Sequence, residues 1–253
     1  MILYFSATGN SRFTAQRLAA RMPGETLVDL RQWFHQKKPW TFRSDTPFVL
    51  VCPIYAWRLP LALEDFLRRA ELAGSRELYV VATMGAGCGD AARYARQAAE
   101  SRGLRWMGFA GIVMPDNYLP MFKMPDPARA AEIFRAAEPR IETVGRAIAA
   151  RRPLPPPAPA PGAGLLSGPV NAGFNRFARD PKGFAVSPGC IHCGRCLAGC
   201  PTRNITEQAG RITFGPDCWF CLACLHNCPV HAIDWRGKGA RNGFYTFPAE
   251  LEG

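Results

Sequence analysis

The sequence lacks the features of a membrane-spanning, exported or nucleic-acid-binding protein. No apolar run reaches the roughly 20 residues that a membrane-spanning helix needs. The N-terminus, MILYFSATGN, has no basic region ahead of its short apolar stretch, so we expect neither a signal peptide nor an anchor. The formal charge is +11, yet the basic pairs at 68–69 and 151–152 are isolated and typical of solvated faces, so we expect no nucleic-acid partner.

The sequence also lacks the residue sets of common catalytic and nucleotide-binding motifs. We find no Ser/His/Asp set, no paired acid–base carboxylates and no nucleophilic Cys motif. The absence of G-K-[ST] excludes a Walker loop. The segment GAGCGD at 85–90 begins like a dinucleotide fingerprint but has Asp90 in place of the final Gly, so it is not expected to bind a pyrophosphate.

The length and composition are those of a globular protein with one or two domains. The chain has 253 residues, of which 48% are hydrophobic and 20% charged. The segment RRPLPPPAPAPGAG at 151–164 is so rich in Pro and Ala that we expect neither helix nor interior strand there. It predicts a semi-rigid linker, with a long surface loop inside one domain as the alternative. We therefore divide the chain into a domain at 1–150, a linker at 151–168 and a second domain at 169–253.

Strand-like and helix-like segments alternate before the linker. Short apolar runs predict strands at 2–5, 26–30, 48–55, 77–84 and 105–114, and amphipathic segments predict helices at 11–22, 61–72, 90–103 and 126–150. This alternation is typical of a three-layer α/β domain, in which helices cover both faces of a parallel sheet.

The loop between the first strand and the first helix, SATGNS at 6–11, has the composition of an anion site. Small hydroxyl residues and a Gly lead into a helix N-terminus, where backbone N–H groups and the helix dipole favour a phosphate group. The Ser and Thr hydroxyls add further donors. The sequence therefore predicts a phosphate-binding loop here.

Eight of the ten cysteines lie between residues 190 and 228. They form two copies of C-x2-C-x2-C-x3-C-P, 28 residues apart, which is the spacing of proteins with two [4Fe–4S] clusters. Because each fourth Cys serves the other cluster in that pattern, the predicted ligands are Cys190, Cys193, Cys196 and Cys228 for cluster I, and Cys218, Cys221, Cys224 and Cys200 for cluster II. Zinc is the alternative, although tetrahedral zinc has no use for the third Cys of each run. His192 and His226 lie inside the runs and are expected to stay off the metal.

Two resemblances follow from these motifs. The eight cysteines make residues 184–236 resemble the bacterial dicluster ferredoxins, which implies a small α+β domain. The SATGNS loop and the five-strand layout are similar to those of flavodoxins, which implies a doubly wound five-stranded parallel sheet of order 2-1-3-4-5 with FMN at the carboxyl ends of the strands. The whole chain therefore resembles a flavodoxin–ferredoxin fusion of the type found in anaerobes.

The flavodoxin resemblance also implies which residues hold FMN. The implied phosphate ligands are Ser6, Thr8, Gly9, Asn10 and Ser11. The loops after the third and fourth strands would flank the isoalloxazine ring, and the implied ring contacts are Pro53, Ile54, Tyr55, Ala56, Trp57, Thr83, Met84, Gly85, Gly87 and Gly89. Tyr55 and Trp57 are stacking candidates, with ordinary core aromatics as the alternative, and Tyr118 is a further candidate for covering the flavin. The glycines let the backbone approach the ring.

These cofactors predict an electron carrier rather than an enzyme. FMN takes electrons singly or in pairs and each cluster passes one, which suits a relay between low-potential redox proteins. Two alternatives stay open. One is an oxidoreductase whose flavin reduces a small acceptor such as a quinone, with the ferredoxin domain as its electron feed. The other is a structural or sensory iron–sulfur module without flavin.

Charge and thiol content predict the partners and the compartment. Two clusters and the FMN phosphate would lower the net charge to about +5, which still favours acidic redox proteins of the ferredoxin, flavodoxin or hydrogenase type. Exposed clusters and ten unpaired thiols favour a reducing, anaerobic cytoplasm. The sequence leaves open whether the two halves meet within one chain or across a homodimer.

Overall fold

The N-terminal half is built on a parallel β-sheet. The computed structural model describes residues 1–34, 39–158 and 160–251. The strands of this half are β1 (Ile2–Tyr4), β2 (Leu27–Asp29), β3 (Thr41–Ser44), β4 (Phe48–Pro53), β5 (Glu71–Gly74), β6 (Glu77–Met84) and β7 (Arg105–Val113), and its helices are α1 (Asn10–Ala19), α2 (Arg31–Phe34), α3 (Leu61–Arg69), α4 (Ala91–Glu100) and α5 (Pro127–Ala149). Five strands form one sheet in the order β2-β1-β4-β6-β7, all parallel. Counted within the sheet this order is 2-1-3-4-5, so the predicted topology is confirmed.

Helices cover both faces of the sheet, as its continuous apolar strands require. Successive side chains of a strand point to opposite faces. Leu50 of β4 therefore belongs to the core beneath α3 and α4 together with Phe66. Its neighbour Val51 belongs to the core beneath α1 and α5 together with Phe134. The three-layer α/β arrangement follows from these two cores.

The region after α3 differs from the sequence prediction. The helix predicted at 61–72 ends at Arg69, and Glu71–Gly74 form β5 instead. β5 pairs in parallel with β3 outside the main sheet, which sets Leu72 opposite Phe42. Both side chains are buried in the core that contains Phe66, so burial of this pair outweighs continuation of the helix.

The Pro-rich segment, named here the strap, lies along the surface of the N-terminal half. Leu154 is buried, and its N–H donates to the Met107 carbonyl at 2.8 Å. The Tyr79 hydroxyl donates to the Arg152 carbonyl at 3.2 Å. Gly108 has a φ of +119°, and a Cβ at this position would collide with Leu154. The strap therefore lies close against β7; Pro159 of the predicted linker lies outside the described residues.

A helical segment follows the strap at residues 163–178, named here the bridging helix. Its turns alternate between α type at Ala163–Leu165 and Asn171–Gly173 and π type at Leu166–Val170 and Phe174–Ala178. The expectation that 151–164 avoids helix is therefore wrong for its last two residues. Ala163, Ser167 and Asn171, spaced four apart, are all buried, so one face of the helix packs against the protein.

The C-terminal half is a small α+β unit, as predicted. It contains the strands β8 (Phe184–Val186), β9 (Ile205–Gln208), β10 (Arg211–Phe214) and β11 (Ile233–Trp235), and the helices α6 (Arg195–Gly199), α7 (Ala223–His226) and α8 (Lys238–Asn242). β9 pairs with β10 and β8 with β11, both antiparallel. The starts of α6 and α7 are 28 residues apart, so they are equivalent parts of the repeat. None of the helices formed by the described residues has the length and apolar character of a transmembrane span.

Candidate cofactor sites

The predicted phosphate loop forms the turn between β1 and α1. Because α1 begins at Asn10, the first N–H groups of the helix have no intrahelical partner. The first turn contains no acidic residue, so the helix dipole there favours an anion. Gly9 has a φ of +106°, and the Phe247 ring lies where a Cβ would be placed, so only Gly fits this position.

The hydroxyl groups of Ser6 and Thr8 are buried and act as hydrogen-bond acceptors. Ser6 Oγ accepts from the Gly9 N–H at 3.1 Å, and Thr8 Oγ1 accepts from Asn117 Nδ2 at 2.5 Å. A hydroxyl that accepts still has its own hydrogen to donate. Both residues therefore suit an anion bound at the helix N-terminus.

The side chains of Asn10 and Ser11 form hydrogen bonds with other groups of the protein. Asn10 Nδ2 donates to the Pro115 carbonyl at 2.9 Å, and Asn10 Oδ1 accepts from the Tyr245 hydroxyl at 2.7 Å. The oxygen atoms Ser11 Oγ and Thr83 Oγ1 are 2.8 Å apart. Asn10 therefore offers a ligand its backbone N–H rather than its amide, and Thr83 lies against the phosphate loop.

The loop after β4 forms a strained two-residue turn. The backbones of Tyr55 and Arg58 exchange hydrogen bonds of 2.8 and 3.2 Å. The central residues Ala56 and Trp57 have φ values of +45° and +63°. Turns with two positive φ values favour Gly, Asn or Asp, so each of these residues costs roughly 1–3 kcal/mol. Such strain persists only where other contacts hold the turn.

Two buried side chains of the bridging helix hold this turn. Asn171 Nδ2 donates to the Tyr55 carbonyl at 3.2 Å and to the Ala56 carbonyl at 2.8 Å. Ser167 Oγ donates to the Trp57 carbonyl at 2.8 Å and accepts from the Asp90 N–H at 2.8 Å. Because Asp90 follows the Gly-rich loop after β6, one hydroxyl ties together the two loops that are predicted to flank the ring.

The Gly-rich loop is exposed at its tip and closely packed at both ends. Gly87 has open space beside it. A Cβ at Gly85 would collide with Asp116, and a Cβ at Gly89, whose φ is +52°, would collide with Ser167. The structure brings all of the implied ring residues to this carboxyl edge of the sheet: Pro53, Ile54, Tyr55, Ala56, Trp57, Thr83, Met84, Gly85, Gly87 and Gly89.

The eight clustered cysteines line two cavities. Cys190, Cys193, Cys196 and Cys228 line the first, and Cys200, Cys218, Cys221 and Cys224 line the second. Each cavity thus combines three thiols of one run with the fourth thiol of the other, which is the grouping that the repeat predicts. All eight thiols are free of disulfides. Within residues 1–34, 39–158 and 160–251, no three His, Cys, Asp or Glu side chains meet closely enough to hold a single metal ion.

Backbone N–H groups point at several of the sulfurs. Three thiols accept such bonds at 3.3 Å: Cys200 from Asn204, Cys218 from Phe220, and Cys228 from Ala232. These bonds favour a thiolate and are among the features that tune a cluster potential. Burial instead favours the neutral thiol and raises the pKa of Cys221 to about 12.

The second cavity adjoins the N-terminal half. The ring of Trp219, which lines this cavity, lies 5.6 Å from Phe5 and 4.9 Å from Phe34. Cys221 packs against the core beneath α3 and α4, and Ala223 belongs to it. The loop that carries most of the second thiol set is therefore docked on the sheet.

The first cavity faces outward. Cys193 is exposed, and so are the two apolar residues beside it, Ile191 and Val230. The cavity also includes Arg195 in its lining. An electron carrier in contact with this edge would meet apolar and cationic groups.

Tyr118 and the two predicted non-ligand histidines lie near these cavities. The Tyr118 ring is 6.2 Å from Phe220 of the second thiol run, and burial raises the pKa of its hydroxyl to about 12. His192 Nδ1 lies 2.7 Å from Glu207 Oε1 at the surface. His226 is buried, which lowers its pKa to about 4, and hydrogen bonds engage both of its ring nitrogens.

Family models match both halves of the chain. Residues 1–124 match the flavodoxin domain, and residues 189–233 match the 4Fe-4S dicluster domain. The chain is a flavodoxin–ferredoxin fusion. No curated protein matches it significantly.

Solved structures similar to part of the fusion include two flavodoxin-like proteins. General stress protein 14 from Treponema denticola, in complex with FMN, is 11% identical and covers 58% of this chain and 97% of its own, with a TM-score of 0.39. A short-chain flavodoxin associated with a non-canonical PDU bacterial microcompartment is 13% identical and covers 58% of this chain and 93% of its own, with a TM-score of 0.37.

The residues of the fusion fit the cofactors of the two matched families. The helix N-terminus at Asn10 combines N–H groups that have no intrahelical partner with hydroxyl donors and no acidic side chain, which suits an FMN phosphate. The two cavities supply thiol donors and N–H···S bonds, which suit iron–sulfur clusters. The fusion is therefore a redox protein of the electron-transfer class.

Sequence reasoning missed the polar residues that support the loops. They are Asn117, Ser167, Asn171, Asn227 and Tyr245. Only Asn227 lies within a motif, at a variable position of the second cysteine run, and each of the five acts through contacts between distant parts of the chain. The four-residue spacing of Ser167 and Asn171 could have indicated a helix face across the boundary between the predicted linker and the second domain.

Proposed function

We propose that the fusion relays electrons between low-potential redox proteins through one FMN and two [4Fe–4S] clusters. The observation that carries this proposal is the docking of the second thiol set on the flavodoxin half of the same chain. Trp219 and Cys221 lie against the flavodoxin core, and Tyr118 reaches Phe220 from the flavodoxin side. The flavin side and the iron–sulfur side are thus in contact without a second copy of the chain.

The proposed ligands follow the two donor sets. Ser6, Thr8, Gly9, Asn10 and Ser11 would hold the FMN phosphate, with Asn10 acting through its backbone. Cys190, Cys193, Cys196 and Cys228 would hold cluster I, and Cys200, Cys218, Cys221 and Cys224 would hold cluster II. Supporting this division, each thiol set shares one cavity.

When bound, the flavin exchanges electrons singly or in pairs, while each cluster exchanges one. The protein positions the groups and controls their surroundings. The buried side chains of Phe220, Leu222 and Leu225 around the second thiol set limit water at the second site. Backbone N–H groups at Cys200 and Cys218 stabilise negative sulfur there.

The exposed edge of the first thiol set is the proposed contact for redox partners. Cys193 reaches the surface between Ile191 and Val230, and Arg195 stands beside them. An apolar patch with a cationic neighbour suits an acidic protein, since complementary charge speeds encounter. Such a thiol-rich relay is suited to a reducing cytoplasm.

A reductase of a small acceptor such as a quinone is the second candidate. A cavity of 530 Å³ between the two halves favours it, because Tyr55, Phe174 and Trp219 contribute aromatic walls and Arg179 a cationic group. A planar acceptor would suit such walls. This candidate predicts steady turnover of a quinone.

The first test is cofactor quantitation on anaerobically purified protein. The relay predicts about eight iron and eight sulfide ions and one FMN per chain, all of which titrate reversibly. Zinc in place of iron, or a chain without flavin, would refute it. The second test mixes the protein with reduced ferredoxin. Rapid exchange supports the relay, whereas quinone turnover without any protein-to-protein transfer supports the reductase.

A further inference from the structure

Residues of the ferredoxin half contact the phosphate loop of the flavodoxin half directly. Asn227 follows α7, and its Nδ2 donates to the Ala7 carbonyl at 3.0 Å. Ala7 lies between Ser6 and Thr8, the two residues whose hydroxyls keep a hydrogen for an anion. The main chain of the loop is therefore fixed from outside the flavodoxin half.

A second contact runs through His226. The Tyr245 N–H donates to His226 Nδ1 at 3.0 Å, which leaves the hydrogen on Nε2, and Nε2 donates to the Asn117 carbonyl at 2.8 Å. Asn117 in turn donates from Nδ2 to Thr8 Oγ1 at 2.5 Å. His226 is only 5% exposed, so this path is shielded from competing water.

A third contact comes from the segment after α8. The Tyr245 hydroxyl, buried beneath the surface, donates to Asn10 Oδ1 at 2.7 Å and so fixes the first residue of α1. Phe247 covers Gly9, and its ring lies 5.2 Å from that of Phe134. A bare flavodoxin half would lack all of these contacts.

We infer that the ferredoxin half completes the FMN phosphate site through Asn227, His226 and Tyr245, so that binding of FMN and of the clusters is coupled. The inference rests on the proposed function, because it assumes both cofactors. His226 and Asn227 lie between Cys224, which is inside α7, and Cys228, which follows it, so ligation of those two thiols fixes the positions of His226 and Asn227. A coupling of this kind is reciprocal: each cofactor strengthens the binding of the other.

The decisive experiment compares FMN with riboflavin, which lacks the phosphate, on the cluster-loaded full chain. In Tyr245→Phe we expect the Kd for FMN to rise about tenfold, because Asn10 Oδ1 loses its partner, and in Asn227→Ala about fivefold. The Kd for riboflavin is expected to stay unchanged in both variants. Iron content and the visible cluster spectrum serve as checks that the clusters are intact.

Asn242→Ala is the matched control. Asn242 Nδ2 also joins the two halves, but it donates to the Leu119 carbonyl at 2.7 Å and does not touch the phosphate loop. Its substitution is expected to leave the Kd for FMN unchanged. Equal weakening of FMN and riboflavin by Tyr245→Phe would overturn the inference in favour of a general packing effect.

The reciprocal experiment follows the loss of iron from the full chain to a chelator. Saturation with FMN is expected to slow the loss of iron about fivefold, and riboflavin is expected to leave it unchanged. In Tyr245→Phe the slowing by FMN is expected to be smaller. If the wild-type chain binds both cofactors and the variants show the same Kd values and the same rates of iron loss as the wild type, this inference is overturned while the proposed function stands. A chain that binds no FMN or no iron overturns the proposed function as well.

Discussion

A single serine hydroxyl connects the two loops that flank the proposed flavin ring. Ser167 is fully buried and satisfies one acceptor and one donor of the backbone, the Trp57 carbonyl and the Asp90 N–H. Its loss would leave both groups without their protein partner, at a cost of roughly 1–3 kcal/mol. The strained turn at 55–58 would also lose one of the contacts that hold it.

For Ser167→Ala we expect FMN and riboflavin to bind about tenfold more weakly, because the ring loops and not the phosphate loop are loosened. Flavin fluorescence titration measures both constants. Ser101→Ala is a suitable control, since Ser101 Oγ donates to the Ala98 carbonyl at 2.8 Å near the end of α4, away from these loops. An unchanged riboflavin affinity in Ser167→Ala would contradict the expectation.

At the scale of elements, the loop at 218–222 joins the two halves through aromatic packing. Trp219 makes edge contacts with Phe5, which follows β1, and with Phe34, the last residue of α2. Aromatic pairs of this kind add about 0.5–1.5 kcal/mol to the area they bury. The position of the second thiol set relative to the sheet therefore depends strongly on one indole ring.

Trp219→Ala is expected to weaken this docking by roughly 3 kcal/mol, as large-to-small changes in packed sites do. Stopped-flow measurement of electron transfer between clusters and flavin should show a slower rate at unchanged iron content. Phe177→Ala is the control, because the Phe177 side chain is 76% exposed on the bridging helix. A wild-type transfer rate in Trp219→Ala would show that the docked loop is not on the electron path.

At the scale of the whole molecule, the net positive charge is expected to influence how fast the protein associates with the proposed acidic partners. The formal charge is +11 and would fall to about +5 with the proposed FMN and two clusters, and Arg195 stands at the exposed thiol edge. Attraction between exposed charges is screened over about 8–10 Å at physiological salt. Partner association should therefore depend on ionic strength.

The second-order rate of electron transfer to an acidic ferredoxin is expected to fall as salt rises, and Arg195→Glu should lower it severalfold at low salt. Arg96→Glu on α4 is the control: it introduces the same charge change at an exposed site that pairs with Glu100, outside the first thiol cavity. Stopped-flow kinetics at several ionic strengths provides the measurement. A rate that changes neither with ionic strength nor in Arg195→Glu would rule out electrostatic steering.

The sequence predicts what is encoded locally and misses what depends on distant contacts. The apolar runs of the five strands and the two cysteine runs carry their own patterns, so a parallel α/β sheet and the thiol grouping could be expected, whereas the strand order was implied by the resemblance to flavodoxins. Asn10 was expected among the phosphate ligands, and the structure shows that its side chain is engaged by the Pro115 carbonyl and by Tyr245, 235 residues later, which the sequence pattern does not reveal. Likewise, the composition of the bridging helix gave no indication that Ser167 would be buried beside Trp57.

The contact between Tyr245 and Asn10 also sets an order of events during synthesis. The flavodoxin half leaves the ribosome first, and domains generally begin to fold as they emerge. Its phosphate loop, however, gains its last partners only after Asn227 and Tyr245 have been added. All eight clustered cysteines precede Tyr245 in the chain, so the proposed cluster ligands are synthesised before the residue that fixes Asn10.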